Sequence, residues 1–258
     1  MKANNKPYNL EDSISRIDEI LEVQDYSYEE RDSIPSRDEL TFINGFYVEC
    51  SALFVDIRKS SELTDFHKNR VLAKLYRAYI SEVIAVINGN SKCKELNVVG
   101  DCVSGIFDTP RKQDVDAVFD TAAQVSSLID ILNYRLTVNE IREITVGIGV
   151  ALGRALMVKA GYKGSCINEV VWMGNVVNEA SKLASYGNKG VSVFGRDILK
   201  SPEIAVSKEF YDRLTKRNQK MLEENEFDDY YQGDVVNGYM NDWYKKNCND
   251  DDESDCLL

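Results

Sequence analysis

The stretch 52-ALFVDIRKSS-61 decides the fold. Apolar residues run straight into Asp56, and a basic, serine-rich turn follows, in which Ser60 or Ser61 is placed to cap a helix. This is the pattern of a buried strand that ends in a carboxylate. A second carboxylate of the same kind stands in 95-ELNVVGDCVSGIFD-108, where two short apolar runs flank Gly100-Asp101. That reads as a hairpin with Asp101 at its tip. If strand and hairpin are sheet neighbours, Asp56 and Asp101 converge at one sheet edge. Two carboxylates so placed repel, and each raises the other's pKa unless a cation lies between them. Hard divalent cations take such oxygens, and Mg²⁺ commonly uses one or two carboxylates together with substrate phosphates. A metal pair there suits phosphoryl chemistry. The backbone N–H groups of the turn, with Arg58, Lys59, Ser60 and Ser61, suit a phosphate. Taken singly, each aspartate also fits an ordinary strand end or turn.

Outward from this stretch, apolar spacing predicts a helix at 13–23, an acidic connector over 24–41, a strand over 46–56, and one helix, capped by Ser60 or Ser61, that carries Leu63 to Ile87 on one face and is ended by Asn88-Gly89-Asn90. A second helix is expected over 113–135. Two strands separated near Gly153 are expected in 143-EITVGIGVALGRALMVKAG-161. A helix over 174–186, a strand at 190–195, a helical segment over 207–224 and a hairpin in 228-DDYYQGDVVNGYMNDWY-244 follow. Hairpins and helices interleave without a βαβ repeat, which predicts an α+β fold with helices covering a mostly antiparallel sheet. The expected division is an N-terminal extension and connector over 1–45, a catalytic domain over 46–246, and an acidic disordered tail over 247–258.

The 258 residues carry 31 basic and 43 acidic side chains, a net charge of −12, which argues against a duplex nucleic-acid binder. No apolar run reaches the roughly 20 residues of a membrane helix, and the polar N-terminus lacks a signal-peptide core, so a cytoplasmic protein is expected. The six cysteines form no CxxC pair and read as reduced thiols. His67 is the one histidine, so a Ser-His-Asp triad or a histidine-rich zinc site would have to be built around it; it reads as a solvated helix residue. Chemistry is expected to rest on carboxylates.

Four stretches, in order, resemble the class III nucleotidyl cyclase catalytic domain: FVDIRKSSELT, LNVVGDCVSGIFD, VGIGVALGRALMVKAG and VWMGNVVNEASKLAS, spanning about residues 46–197. The resemblance implies a ferredoxin-like core and a head-to-tail homodimer with shared active sites. It implies two Mn²⁺ or Mg²⁺ ions on Asp56, Asp101 and the Ile57 carbonyl. From the partner chain, Asn178 would orient the ribose. The family's arginine four residues further on is Lys182 here, which supplies charge without the planar fork. The family's base-reading positions are Asn97 and Val171 here, so the adenine-reading lysine–acid pair is absent. Asn97 both donates and accepts, and so pairs with uracil or cytosine; Val171 offers no acceptor to an exocyclic amine, which tilts the reading toward UTP over CTP. This pattern resembles the pyrimidine cyclases of bacterial Pycsar antiphage defence, whose product activates a separate effector. The rival readings are a purine cyclase and a degenerate cyclase-fold module that binds a nucleotide without turnover. Arg154 and Lys159 read as exposed strand residues near the dimer arm that the resemblance implies. A diguanylate-type enzyme needs a GGDEF turn where this chain has VVGDC.

Overall fold

The computed structural model describes residues 3, 5–163, 167–193 and 196–248. In chain order its elements begin with α1 (Leu10–Leu21), β1 (Tyr28–Arg31), β2 (Gly45–Ile57), α2 (Leu63–Phe66), α3 (Asn69–Gly89), β3 (Cys93–Val99) and β4 (Cys102–Phe107). Then come α4 (Lys112–Val138), β5 (Val146–Gly161), β6 (Asn168–Met173), α5 (Asn175–Ala184), β7 (Gly190–Val193) and β8 (Arg196–Lys200). The chain continues through β9 (Ile204–Ser207), α6 (Lys208–Arg213), α7 (Lys216–Gln219), β10 (Glu223–Glu224), β11 (Tyr230–Gly233) and α8 (Gly238–Asn247).

β2 and β5 pair antiparallel along the whole of β2, from Gly45 opposite Val158 to Ile57 opposite Val146. β4 and then β3 extend the sheet beside β2, while β9, β11 and β10 extend it beside β5. β1 lies parallel to the start of β2, and β9 runs parallel to β5; the other pairings in this sheet are antiparallel. β7 and β8 form a separate hairpin. The α+β architecture expected from the interleaved elements is therefore present.

The alternation of β2 and β5 sorts their side chains onto two faces. Leu53, Val55 and Ile57 join Val146, Ile148 and Val150 against Leu75, Tyr79 and Val83 of α3 and Val115 and Phe119 of α4. The opposite face carries Ala52, Phe54, Ala151, Ala155 and Met157 against Val176, Ala180 and Leu183 of α5. Each large side chain so buried contributes about 1.5–3 kcal/mol. Gly147, Gly149 and Gly153 belong to this second face, and α5 lies directly on their backbone. A Cβ at Gly149 would come within 2.1 Å of the Ala180 carbonyl oxygen and the Ala184 nitrogen.

Several expectations are corrected. The segment read as two strands parted at Gly153 is one continuous strand, because that glycine makes room for Val176 rather than a turn; its Cβ would meet Val176 at 3.3 Å. The helix expected from Ser61 is interrupted: a 3₁₀ turn and α2 come first, and extended backbone at His67 and Lys68 separates them from α3. His67 is half-buried at that break, and its Nε2 accepts a hydrogen bond from the Arg142 backbone N–H at 3.0 Å. The helical segment expected over 207–224 is instead two short helices, α6 and α7, followed by the strand β10. The expected 228–244 hairpin is absent: Tyr230–Gly233 pairs with β9 and β10, and α8 follows, capped by Asn237. The presumed connector over 24–41 contains β1 and buries Ile34 and Leu40. Cys50, Cys93 and Cys102 are free thiols, whereas Cys166, Cys256 and the acidic tail from residue 249 lie outside the described residues.

Candidate active site

The predicted site residues fall into two groups. The first group forms where β2 ends beside the β3–β4 turn. Asp56 follows Phe54 in the alternation, and Asp101 follows Gly100, whose φ of +65° permits the tight turn. Asp56 Oδ2 accepts from Arg58 Nη2 at 2.9 Å. Arg58 is itself anchored, donating from Nη1 to the Ser185 carbonyl at 3.0 Å and from its backbone N–H to the Thr145 carbonyl at 2.7 Å.

The two aspartates lie within electrostatic reach of each other. Burial raises the Asp56 carboxyl above its ordinary range, the charge of Asp101 raises it further, and Arg58 opposes both. The neighbouring Cys102 thiol is pushed up to about 11, by burial first and then by both aspartates. Asp101 Oδ2 is buried and has no hydrogen-bond partner. A buried carboxylate oxygen without a partner, within electrostatic reach of a second, destabilised carboxylate, is the donor set a hard cation satisfies, so these residues fit the expected metal. Among the described residues no group of three or more His, Cys, Asp or Glu side chains is placed to hold a metal ion. Further ligands at Asp56 and Asp101 would therefore be backbone carbonyls, such as that of Ile57 at the end of β2, water or phosphate.

The turn that follows differs from expectation. Lys59 takes a left-handed conformation at φ 53°, and Ser60–Glu62 is a single 3₁₀ turn leading into the four-residue α2. The long helix starts at Asn69, so no long helix dipole points at Ser60 and Ser61. Arg58 and Lys59 remain as local positive charge and line a cavity of about 580 Å³ together with Arg142 and Lys200.

The second group surrounds another cavity, of about 500 Å³. Asn97 from β3 and Val171 from β6 both line it, with Phe54, Ser104, Trp172 and Val177. The structure thus brings together the two positions that sequence reasoning assigned to the base. Asn178 and Lys182 follow along α5 and are exposed; the Lys182 ammonium lies 5.6 Å from the centre of the Tyr186 ring. Arg154 pairs with Glu30 and lies over the Tyr47 ring, and Lys159 faces Phe42. Several lining residues escaped sequence reasoning, Trp172, Arg37, Glu95 and Glu169 among them. Trp172 carries a buried Nε1–H without a partner, and Arg37 reaches in from before β2. The tryptophan in VVWMG was a legible signal, since a buried indole N–H normally finds an acceptor. Arg37 sits in polar sequence that gives no such sign.

The profile of the adenylate and guanylate cyclase catalytic domain matches residues 45–233. The chain belongs to the class III nucleotide cyclase family. This cyclase is 38% identical over 266 residues to a protein named uridylate cyclase from Gulbenkiania mobilis, covering 96% of this chain and all of that one. It is 35% identical to a uridylate cyclase from Treponema porcinum, covering 93% of this chain and 82% of that one. Among solved structures, the adenylyl cyclase CyaB from P. aeruginosa shares the fold at a TM-score of 0.57 and 19% identity, over 70% of this chain and 85% of that one. Family membership sets aside the diguanylate-type reading. Among the described residues no helix is long and apolar enough to cross a membrane.

Proposed function

We propose that the protein is a homodimeric, metal-dependent pyrimidine nucleotide cyclase, converting UTP, in preference to CTP, to the 3′,5′-cyclic monophosphate and pyrophosphate. The observation that carries this reading is the cavity in which Asn97 and Val171 stand where purine cyclases place a base-reading pair, on a chain that retains both Asp56 and Asp101. The names of the two uridylate cyclases point the same way.

In the proposed reaction the ribose 3′-oxygen attacks the α-phosphorus, the bond to the β-phosphate oxygen breaks, and pyrophosphate leaves. Asp56, Asp101 and the Ile57 carbonyl would hold two Mn²⁺ or Mg²⁺ ions, which supply an activated 3′-hydroxyl and neutralise the leaving group when bound. Arg58 and Lys59, with the Ser60–Ser61 turn, hold the triphosphate. Asn97 reads the base edge through its amide, and Val171 closes the pocket without offering an acceptor. Asn178 orients the ribose, and Lys182 balances charge on the α-phosphate in the transition state. The base group and the exposed Asn178 and Lys182 of one protomer complete the aspartate pair of its partner. We further propose that the protein acts in the cytoplasm, and that its product activates a separate effector in antiphage defence.

One experiment tests the shared site. With UTP and Mn²⁺, Asp101→Ala and Lys182→Ala chains are each expected to turn over at least about 100-fold more slowly than wild type. Mixing them rebuilds one intact site per heterodimer and restores cyclic UMP. Absence of rescue in mixtures shown to form heterodimers would contradict the arrangement. The alternative, a nucleotide-binding module without turnover, draws on Lys182 in place of arginine and on Arg58 paired with Asp56; it predicts UTP binding and no product.

A further inference from the structure

A single guanidinium ties the two walls of the base cavity together. Arg37 donates from Nε and Nη2 to the two carboxylate oxygens of Glu95, at 2.6 and 2.7 Å, and from Nη2 to Glu169 Oε1 at 2.6 Å. Glu95 stands two residues before Asn97 on β3, and Glu169 two residues before Val171 on β6. All three charged groups line the cavity. The segment that carries Arg37 is firmly built. Ile34 and Leu40 are buried on either side of it. The Ile34 N–H donates to Asp108 Oδ1 at 3.0 Å, and Ser36 and Glu39 close a capping box around the Arg37 turn. On the cavity wall itself, Trp172 presents its buried, unpartnered Nε1–H.

We infer that Arg37 is a specificity-determining positioning residue: by binding both oxygens of Glu95 and Oε1 of Glu169 it draws these acceptors to itself and neutralises their charge, so that uracil is accepted and bases with an exocyclic amine are disfavoured. The inference rests on the pyrimidine-cyclase reading above. Uracil presents two carbonyl acceptors and one N3–H. The Asn97 amide satisfies N3–H and one carbonyl, and the Trp172 N–H suits the other. Cytosine satisfies the same Asn97 amide when it flips, so Asn97 alone does not discriminate. Cytosine differs in its second N4–H, which needs a further acceptor. The two carboxylates near Asn97 and Val171 would supply one, and Arg37 holds both oxygens of Glu95 and one of Glu169. A pocket whose polar groups cannot match a ligand's rejects it far more strongly than one that merely lacks a contact. Removing Arg37 therefore exposes two acceptors to the amine.

The test is a competition assay with equimolar UTP and CTP, reading the ratio of cyclic UMP to cyclic CMP. The wild-type protein is expected to favour cyclic UMP. Arg37→Met is expected to shift the ratio toward cyclic CMP by about 10-fold or more, the scale of one hydrogen bond gained or lost. Adding Glu95→Leu and Glu169→Leu removes the exposed acceptors and returns the ratio toward that of the wild type, which a purely structural role for Arg37 would not do. If Arg37→Met turns over too slowly, the ratio of UTP to CTP dissociation constants measured with Ca²⁺ is expected to move in the same direction. An Arg37→Met ratio within about twofold of wild type, by turnover or by binding, overturns the role of Arg37 while leaving the pyrimidine reading intact. A wild-type protein that makes neither cyclic pyrimidine overturns both.

Discussion

Arg58 Nη2 lies 2.9 Å from Asp56 Oδ2 and is the one cation paired with the two aspartates among the described residues. Asp101 Oδ2 is left without a hydrogen bond in the same site. The charge of the pair is thus only partly balanced, and that imbalance has consequences for activity and stability together.

Asp101→Asn removes the repulsion and leaves an amide that can hydrogen bond. The melting temperature is expected to rise by about 2–4 °C, as for a gain near 1 kcal/mol in a domain of this size. Cyclase activity is expected to fall by at least about 100-fold, because the carboxylate is needed to hold the metal. A calorimetric melt and a turnover assay on the same preparation check both; a variant that is stabilised and fully active would remove Asp101 from the metal site.

Lys182 separates charge from geometry. Lys182→Ala is expected to lower kcat by about 100-fold with little change in KM, since its charge matters chiefly in the transition state. Lys182→Arg is expected to stay within about 10-fold of wild type, because charge is kept and a fork is added. Equal losses in both variants would show that the lysine acts through its shape.

The placement of α5 depends on bare backbone beneath it. A methyl at Gly149 would overlap Ala180 and Ala184, and it cannot be relieved by rotating a side chain. Gly149→Ala is expected to destabilise the fold by about 2–4 kcal/mol, measured by urea unfolding. It should also reduce turnover, since α5 carries Asn178 and Lys182. Unchanged stability would contradict this packing.

Glu203 gives stability a pH dependence away from the site. Its Oε2 accepts from Ser126 Oγ at 2.8 Å, and burial, aided by Asp130 and Asp234 and opposed by Ser126 and Lys200, pushes the carboxyl up to about 7 from 4.5. A folded-state pKa above the unfolded value means that the folded protein holds this proton more tightly. The residue therefore costs stability above pH 7, and that cost fades as pH falls from about 7 toward 4.5. Glu203→Gln is expected to stabilise the protein at pH 8 by roughly 2–3 kcal/mol and to change little at pH 4.5, since one pKa unit corresponds to about 1.4 kcal/mol. An equal effect at both pH values would place the cause elsewhere.

Local patterns were legible where both partners of a contact lie close in sequence. ALFVDI and VVGDCV announce their strands and the β3–β4 turn, and the two aspartates point to the site. The break at His67–Lys68 was not legible, because its hydrogen bond comes from Arg142, far along the chain. Gly153 reads as a strand breaker in isolation and as a packing allowance once Val176 lies over it. Tyr230–Gly233 has the composition of a hairpin strand, but its partner is β9 rather than the residues after it. The YEER strand of β1 is exposed along its length, so it has no apolar alternation to reveal it. Arg37 was hidden for the same reason: its partners, Glu95 and Glu169, are set by the tertiary fold.

The central claim is the identity of the product. Purified protein incubated with Mn²⁺ and each of ATP, GTP, CTP and UTP separately, with products resolved by chromatography and identified by mass, tests it most directly. Cyclic UMP as the main product, with cyclic CMP the lesser, is the result expected. Cyclic AMP or cyclic GMP as the main product, or no cyclic nucleotide from any of the four with an intact dimer in solution, would contradict it.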